Sequence, residues 1–201
     1  MPTLSAFINL SLDGCFSDRN GDMSAVHALH NDSEFQAFTE ANAKGGGRLA
    51  FGRKTYDMMA GYWPTAMAKQ QNPVVAEEMD ARRKIVFSRR MKDAEWANTT
   101  VLGGDLASEV KQLKALPGPD MVVLGSGSIV AQLSEAKMLD GLELVVNPVV
   151  FGDGRKLMQG VSKNLTWKFT RSRAFCKWRG VLGLRSSLIF PRPLCCFRSP
   201  C

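Results

Sequence analysis

Short apolar runs separated by glycine-rich turns recur along most of the chain. Leu4–Leu10 (LSAFINL) is apolar and ends at Ser11-Leu12-Asp13-Gly14, the pattern of a buried strand running into a turn. Ser17–His30 is polar and reads as a loop. Asp32 then caps a helix with Phe35, Phe38 and Ala41 on one face and Gly45-Gly46-Gly47 as its stop. Arg48–Phe51 predicts a brief strand, after which Gly52-Arg53-Lys54-Thr55 turns into a helix that faces Tyr56, Met59 and Ala60 inward and ends at Trp63-Pro64. Pro73–Asp80 reads as a further short helix, and Lys84–Phe87 (KIVF) and Thr99–Leu102 as strands. Leu106, Val110, Leu113 and Leu116 recur at helical spacing within Asp105–Leu116, which Pro117-Gly118-Pro119 breaks. Met121–Leu124 (MVVL) shows no alternation, so it predicts a strand covered on both faces. Gly125-Ser126-Gly127-Ser128 leads into a helix over Ile129–Ala136, Leu142–Val150 is a strand interrupted near Pro148, and Thr166–Arg173 alternates like another.

Strands and helices therefore alternate over roughly 150 residues, which predicts an α/β domain with a mostly parallel central sheet. The length of 201 residues suits one domain, and 45% hydrophobic against 22% charged residues suits a folded core rather than disorder. No apolar run reaches the roughly 18–20 residues of a membrane span, and Met1-Pro2-Thr3-Leu4 lacks a basic n-region, so the expectation is a cytoplasmic protein with no membrane partner.

The net charge of +7 changes this picture only by where it lies. Residues 1–153 hold 15 Lys/Arg and all 19 Asp/Glu, a net of −4, whereas residues 154–201 hold 11 Lys/Arg and no acid. The body is slightly acidic and offers no basic, aromatic face for nucleic acid. Cysteine divides the same way: Cys15 stands alone, and Cys176, Cys195, Cys196 and Cys201 crowd the end, in neither a disulfide nor a zinc spacing. His27 and His30 are spaced like ligands on a helix but have no Cys or Glu-His partner nearby, so no metal is expected.

Three strand-to-loop junctions carry the candidate chemistry. Phe51-Gly52-Arg53-Lys54-Thr55 joins a glycine, two cations and a helix N-terminus, a combination that suits a phosphate. Val86-Phe87-Ser88-Arg89-Arg90 delivers a hydroxyl and two guanidinium groups, and Leu124-Gly125-Ser126-Gly127-Ser128-Ile129 is a second glycine-rich turn into a helix. Singly, each is equally a solvated turn or an ordinary cap. At successive strand ends of one α/β sheet they fall along a common ligand-binding edge. A dinucleotide with a 2′-phosphate fits them, although the spacing is neither that of the Rossmann fingerprint nor of the P-loop.

These junctions resemble those of the dihydrofolate reductase fold, and most closely the RibD C-terminal domain, the reductase half of a bifunctional riboflavin-biosynthesis deaminase-reductase. The residues that carry the resemblance are Ser11-Leu12-Asp13-Gly14, Phe51 to Tyr56, Lys84 to Arg89, Val123 to Ser128, and Asn147-Pro148-Val149-Val150-Phe151-Gly152-Asp153-Gly154, in order between about residues 3 and 175. It implies a three-layer sheet flanked by helices, closed by a C-terminal β-hairpin, and an NADPH-dependent reductase acting on a pyrimidine- or pteridine-related small molecule. By the same resemblance Gly52, Arg53, Lys54 and Thr55 meet the pyrophosphate and the 2′-phosphate side, Ser88 and Arg89 hold the 2′-phosphate, and Gly125, Ser126, Gly127, Ser128 and Ile129 seat the pyrophosphate. Ala6 and Asn9 line the substrate cleft, Tyr56 is either cleft wall or core, and a homodimer is expected. Asp13 is either a catalytic residue that orients the substrate or relays a proton, or simply the Asp of an Asp-Gly turn. The alternatives are dihydrofolate reductase proper, whose Pro-Trp is missing from the loop Ser17–Ala25, and a nucleotide-binding or basic-tail interaction protein, which rests on the +7 alone.

The resemblance stops at Phe175, dividing the chain into a reductase domain over residues 1–175 and an anomalous basic, cysteine-rich tail over 176–201. Cys176-Lys177-Trp178 is encoded TGY-AAR-TGG. Read one base later this becomes Ala or Val, Asn or Ser, then Gly, which is the turn the family places before its last strand. The tail is read either as a shift of frame near Phe175–Cys176 or as a genuinely divergent end, and a shift has a disrupted hairpin and an open sheet edge as its expected consequence. Resequencing the locus is expected to restore the turn; an uninterrupted frame, together with relatives that share this tail, would refute the shift.

Overall fold

Extended segments rich in Val, Ile and Leu become strands here, and the helices between them carry one apolar stripe each. The computed structural model describes residues 1–27, 32–175 and 179–186. Along the chain lie β1 (Leu4–Leu10), β2 (Cys15–Ser17), α1 (Ser24–His27), α2 (Ser33–Lys44), β3 (Arg48–Gly52), α3 (Arg53–Ala60), α4 (Ala66–Gln71), α5 (Pro73–Ala81), β4 (Lys84–Phe87), β5 (Thr99–Leu102), α6 (Leu106–Ala115), β6 (Met121–Gly125), α7 (Gly127–Glu135), β7 (Gly141–Val146), β8 (Arg155–Lys156), β9 (Trp167–Phe175) and β10 (Arg179–Ser186).

Eight strands form one sheet in the order β5-β4-β3-β6-β1-β7-β10-β9. The first six are parallel, and β10 runs antiparallel between β7 and β9. Connections β1–α2–β3 and β3–α3–β4 travel toward the β5 edge, whereas β5–α6–β6 and β6–α7–β7 travel back, so right-handed crossovers put the two sets of helices on opposite faces. The packing agrees. Val110 of α6 and Val130 and Leu133 of α7 bury against Ala6, Ile8 and Val123 on one face. Tyr56 of α3 and Val75 and Met79 of α5 bury against Leu49, Phe51 and Val86 on the other. On that same side, Phe35 of α2 packs with Val145, Phe175 and Val181. This is the three-layer α/β fold expected from the resemblance.

Three expectations need correction. The loop over Ser17–His30 contains α1, residues 28–31 lying outside the description. The strand over Leu142–Val150 ends at Val146, because Pro148 has no N–H to continue the ladder and the Asn147 N–H closes it onto the Leu10 carbonyl at 2.7 Å. The two strands expected of the hairpin do pair, β10 with β7 over Gly180–Arg185 and with β9 over Arg179–Ser186. Backbone pairing needs only extended residues with apolar groups at the inward positions, and Val181 supplies one at 2% exposure. The sheet therefore takes in residues beyond the boundary at 175. The edge strand is β9, whose exposed Lys168, Arg171 and Arg173 deter pairing with another chain. Residues 176–178 and the tail from 187 to 201 lie outside the described residues.

One buried cation stabilises the α5–β4 corner. Lys84 is 1% exposed, and its Nζ donates to the carbonyls of Asp80, Arg82 and Ala97 at 2.9, 2.9 and 3.1 Å over the ring of Trp96. The end of α5 thus meets a positive charge, which suits the helix dipole. Lys84→Met takes the ammonium from the Arg82 carbonyl and leaves those of Asp80 and Ala97 to the longer bonds from Asn98 Nδ2 and Thr99 Oγ1, and it is expected to cost ~1–3 kcal/mol. Urea denaturation followed by tryptophan fluorescence measures it; an unchanged midpoint would show that other donors replace the ammonium.

Candidate functional site

The C-terminal ends of six parallel strands lie along one edge, and the direction of the connections reverses between β3 and β6. Helices α3 and α7 leave these two strands on opposite faces, which opens a crevice of the kind where α/β sheets bind ligands. Neighbouring turns touch there. A Cβ on Gly52 would stand 2.8 Å from Ser126 Oγ and 3.0 Å from Ile129 Cγ1, and one on Gly125 would stand 2.8 Å from Thr55 Oγ1. Gly125 also has φ of +138°, a conformation that disfavours any side chain. Only glycines at both strand ends let the two helix N-termini meet.

Side chains cap three of the other helices, and α5 starts uncapped at Asn72 with Pro73 in its first turn. Asp32, Thr65 and Asp105 cap α2, α4 and α6 with their side chains. Gly52 and Ser126, at the starts of α3 and α7, make no side-chain cap bond. First-turn N–H groups there remain available to an anion, with the positive ends of two helix dipoles behind them.

Around this crevice stand most of the residues picked out from sequence. Arg53 is half-exposed and pairs with Asp57 at 2.8 Å, Lys54 points to solvent, and Thr55 abuts Gly125. Ser88 follows β4, beside β3, and its Oγ accepts the N–H groups of Arg90 and Met91, which holds Arg89 at the exposed tip of a tight turn. Ser126 and Ser128 share a hydroxyl hydrogen bond of 3.0 Å. Ile129 lies inward, its side chain on the core and its N–H on the Ser126 carbonyl at 3.0 Å.

Ala6, assigned to the cleft, belongs to the core instead, and of the two readings of Tyr56 the structure favours core. Ala6 is fully buried in the middle of the sheet, under the apolar layer formed with α6 and α7. Tyr56 is 3% exposed, packs on Phe51 and Trp96, and its hydroxyl accepts the Trp96 N–H at 3.0 Å. Asn9 is half-buried near the end of β1 and accepts from Asn147 Nδ2 at 3.3 Å. Asn147 is fully buried, its Nδ2 also lying within 3.1 Å of the Leu10 and Val145 carbonyls, while its Oδ1 is buried without a partner among the described residues.

Asp13 stands apart from the crevice, beside an open cavity of about 790 Å³ floored by Leu10, Leu144 and Leu157. Ser11 Oγ lies 2.6 Å from its Oδ1, and the N–H groups of Phe151 and Gly152 donate to it at 3.2 and 2.8 Å. The Ser11 hydroxyl, followed by the Phe151 and Gly152 amides, outweighs a partial loss of solvent and holds the Asp13 pKa at about 2, against an ordinary 3.8. The carboxylate thus ties the β1–β2 turn to the loop 147–154 and stays ionised at neutral pH. This clasp was not legible from the Asp-Gly dipeptide, since its partners lie 138 and 139 positions away. Among the described residues no group of three or more His, Cys, Asp or Glu could hold a metal ion, and no helix is long and apolar enough to cross a membrane.

Comparison with known proteins gives a consistent result. The sequence model of the RibD C-terminal domain matches residues 2–178. The uncharacterised protein YyaP of Bacillus subtilis (strain 168) is 25% identical over 170 residues, spanning 83% of this chain and 85% of YyaP. Among solved structures, a protein assigned to riboflavin biosynthesis from Shewanella sp. PV-4 superposes with a TM-score of 0.70 at 19% identity, over 92% of this chain and 99% of that one. A diaminohydroxyphosphoribosylaminopyrimidine deaminase/5-amino-6-(5-phosphoribosylamino)uracil reductase from Thermotoga maritima gives 0.63 at 14% identity, over 92% of this chain and 56% of that one. Dihydrofolate reductase from Enterococcus faecalis, complexed with NADP(H), gives 0.59 at 13% identity, over 92% and 96%.

The clasp makes a pH prediction. A carboxyl with pKa about 2 folded and near 3.8 unfolded contributes stability that is fully present above about pH 4 and is lost as pH falls toward 2. Asp13→Asn is therefore expected to lower the melting temperature at neutral pH and to flatten its fall between pH 4 and 2. Ser11→Ala, which leaves the buried Cys15 N–H without its 2.9 Å acceptor, is expected to cost ~1–3 kcal/mol. Thermal melts of both variants across pH check this, and an acid limb in Asp13→Asn as steep as the parent's would count against the clasp.

Proposed function

The chain belongs to the RibD C-terminal domain family, and from this premise we propose that it is an NADPH-dependent reductase of a pyrimidine- or pteridine-related small molecule. The observation that carries the reading is the pair of uncapped helix N-termini, α3 and α7, brought together at the reversal point of the sheet by Gly52 and Gly125. Two such ends suit the two phosphates of a dinucleotide. Arg53, Lys54 and Arg89, exposed at the ends of β3 and β4, suit a third phosphate on the adenosine ribose, which distinguishes NADPH from NADH. Backbone cradle, hydroxyls and cations thus all fit this cofactor.

Bound there, NADPH would supply a hydride to an electrophilic carbon. The chain's own residues would do the rest. Gly125 to Ser128 would fix the pyrophosphate, and with it the cofactor's stance toward the end of β1. Asn9, half-buried and held through its Oδ1 by the buried Asn147, would present its amide N–H groups at that strand end, where a heterocycle's carbonyl could be read. Asp13 acts as a positioning residue, since its carboxylate is fully engaged in holding the turn and is too acidic to deliver a proton at neutral pH. Similarity to a 5-amino-6-(5-phosphoribosylamino)uracil reductase favours that substrate class over dihydrofolate. A cytoplasmic location and a homodimer accord with this reading.

Quenching of tryptophan fluorescence by NADPH tests the proposal. Arg53→Ala and Arg89→Ala are each expected to weaken binding about fivefold to tenfold for NADPH and little for NADH. Turnover with the deaminated phosphoribosylaminopyrimidine and with dihydrofolate then selects the substrate. A folded sample that leaves NADPH unbound at about millimolar concentration would overturn the assignment.

A further inference from the structure

An aromatic ring occupies the space where the first residue of α7 would carry a side chain. A Cβ on Gly127 would stand 2.3 Å from Cε1 and 2.4 Å from Cδ1 of Phe16, so the ring edge rests directly on the backbone of the first helical turn. Phe16 is half-buried, packed against the core on the α7 face. It sits at the centre of β2, and β2 is held from several sides. Cys15 and Ser17 pair with Lys156 and Arg155 of β8. The Ser11 hydroxyl accepts the Cys15 N–H, and Asp13 anchors the preceding turn to the amides of Phe151 and Gly152. Gly154 closes the ribbon, since a Cβ there would stand 2.6 Å from the Ser17 carbonyl and 2.9 Å from Cys15 Cβ. No hydrogen bond of Phe16 itself explains so much bracing; what the bracing fixes is where its ring lies.

We infer that Phe16 is a positioning residue for nucleotide binding, acting through Gly127; this rests on the reading of the α3–α7 crevice as the NADPH site. The ring removes water from one flank of an uncapped helix end. There the N–H groups act through a lower effective dielectric, so their attraction for a phosphate is stronger and less screened by salt. The contact also makes glycine necessary at position 127 and transmits the state of the β2–β8 ribbon, and of the Asp13 clasp, to the nucleotide site. Residues 147–156 thereby influence cofactor affinity without touching the cofactor.

The test uses the full chain and NADPH itself, titrated at several salt concentrations with far-UV circular dichroism as the check on folding. Phe16→Ala is expected to weaken NADPH binding about tenfold and to steepen its salt dependence, while Phe16→Leu, which keeps an apolar cover, stays within about threefold of the parent. Gly127→Ala drives a methyl into the ring and weakens binding as well; adding Phe16→Ala relieves that collision, so the double variant binds no worse than Gly127→Ala alone. A salt slope that changes with Phe16→Ala is a readout that loss of packing alone would not move. Binding by Phe16→Ala within about twofold of the parent at an unchanged slope, or tighter than the parent, overturns the inference. Should Phe16→Ala not fold, Gly127→Ala decides, and parental affinity in that variant overturns it. A parent that does not bind NADPH removes the cofactor reading and this inference together; a parent that binds while the variants match it removes this inference alone.

Discussion

Everything at the functional edge depends on how closely β3 and β6 can end beside each other. Parallel strands sit at a fixed spacing, so the turns that leave them compete for the same space. A side chain on Gly52 or Gly125 would collide with Ser126 or Thr55. With both positions bare, α3 and α7 start side by side and aim the positive ends of their dipoles into one crevice. Placing a capping side chain at either start would occupy the N–H groups the crevice presents. Asp32, Thr65 and Asp105 cap three other helices and Pro73 opens the uncapped α5; what sets α3 and α7 apart is that their two uncapped starts share one crevice.

A second constraint acts at right angles to the first. The β1–β2 turn and the loop 147–154 are far apart in sequence and have almost no strand pairing to hold them, with two pairs between β2 and β8. One carboxylate reinforces a few isolated backbone bonds such as Leu12 N–H to the Val149 carbonyl: Asp13 gathers a hydroxyl and two backbone N–H groups, an arrangement that favours its ionised form strongly enough to bring its pKa to about 2. The same acidity argues against proton delivery. A residue that holds loops by being charged serves poorly as an acid near neutrality.

The major elements were legible because their periods are long enough to read. Strands β1, β3, β4, β5 and β6 and helices α2, α3, α5, α6 and α7 each show an apolar run or stripe bounded by a cap, glycine or proline. Ribbon strands of two or three residues have no period, and β2 and β8 went unseen. Alternation also tells which positions share a face but not what covers that face. The resemblance points Ala6 to a cleft and the pattern leaves Tyr56 as core or cleft wall, whereas Trp96, 40 positions beyond Tyr56, donates its backbone N–H to the Tyr56 hydroxyl and makes it core. Phe16 carried no signal at all, since nothing in the sequence announces that its ring meets Gly127. The last strand illustrates the opposite case: the motif is lost, yet β10 forms, because a strand between two others needs inward apolar positions and backbone more than it needs a particular turn.

Charge completes the contrast between what composition and placement say. The +7 of the whole chain belongs to residues beyond 153, and the cations at the crevice, Arg53, Lys54 and Arg89, come from the acidic body. Exposed as they are, with Arg53 shared with Asp57, their pull on an anion is screened by salt and modest. Backbone N–H groups at α3 and α7 are fixed in direction and cannot be neutralised, and the ring of Phe16 rests on the first residue of α7. The division of labour follows from these differences. Pyrophosphate-like groups would be held by backbone with little dependence on salt, whereas discrimination for an additional phosphate falls to side chains and weakens as ionic strength rises. On the proposed reading, such a site would grip a nucleotide by its centre and tell one dinucleotide from another at its rim.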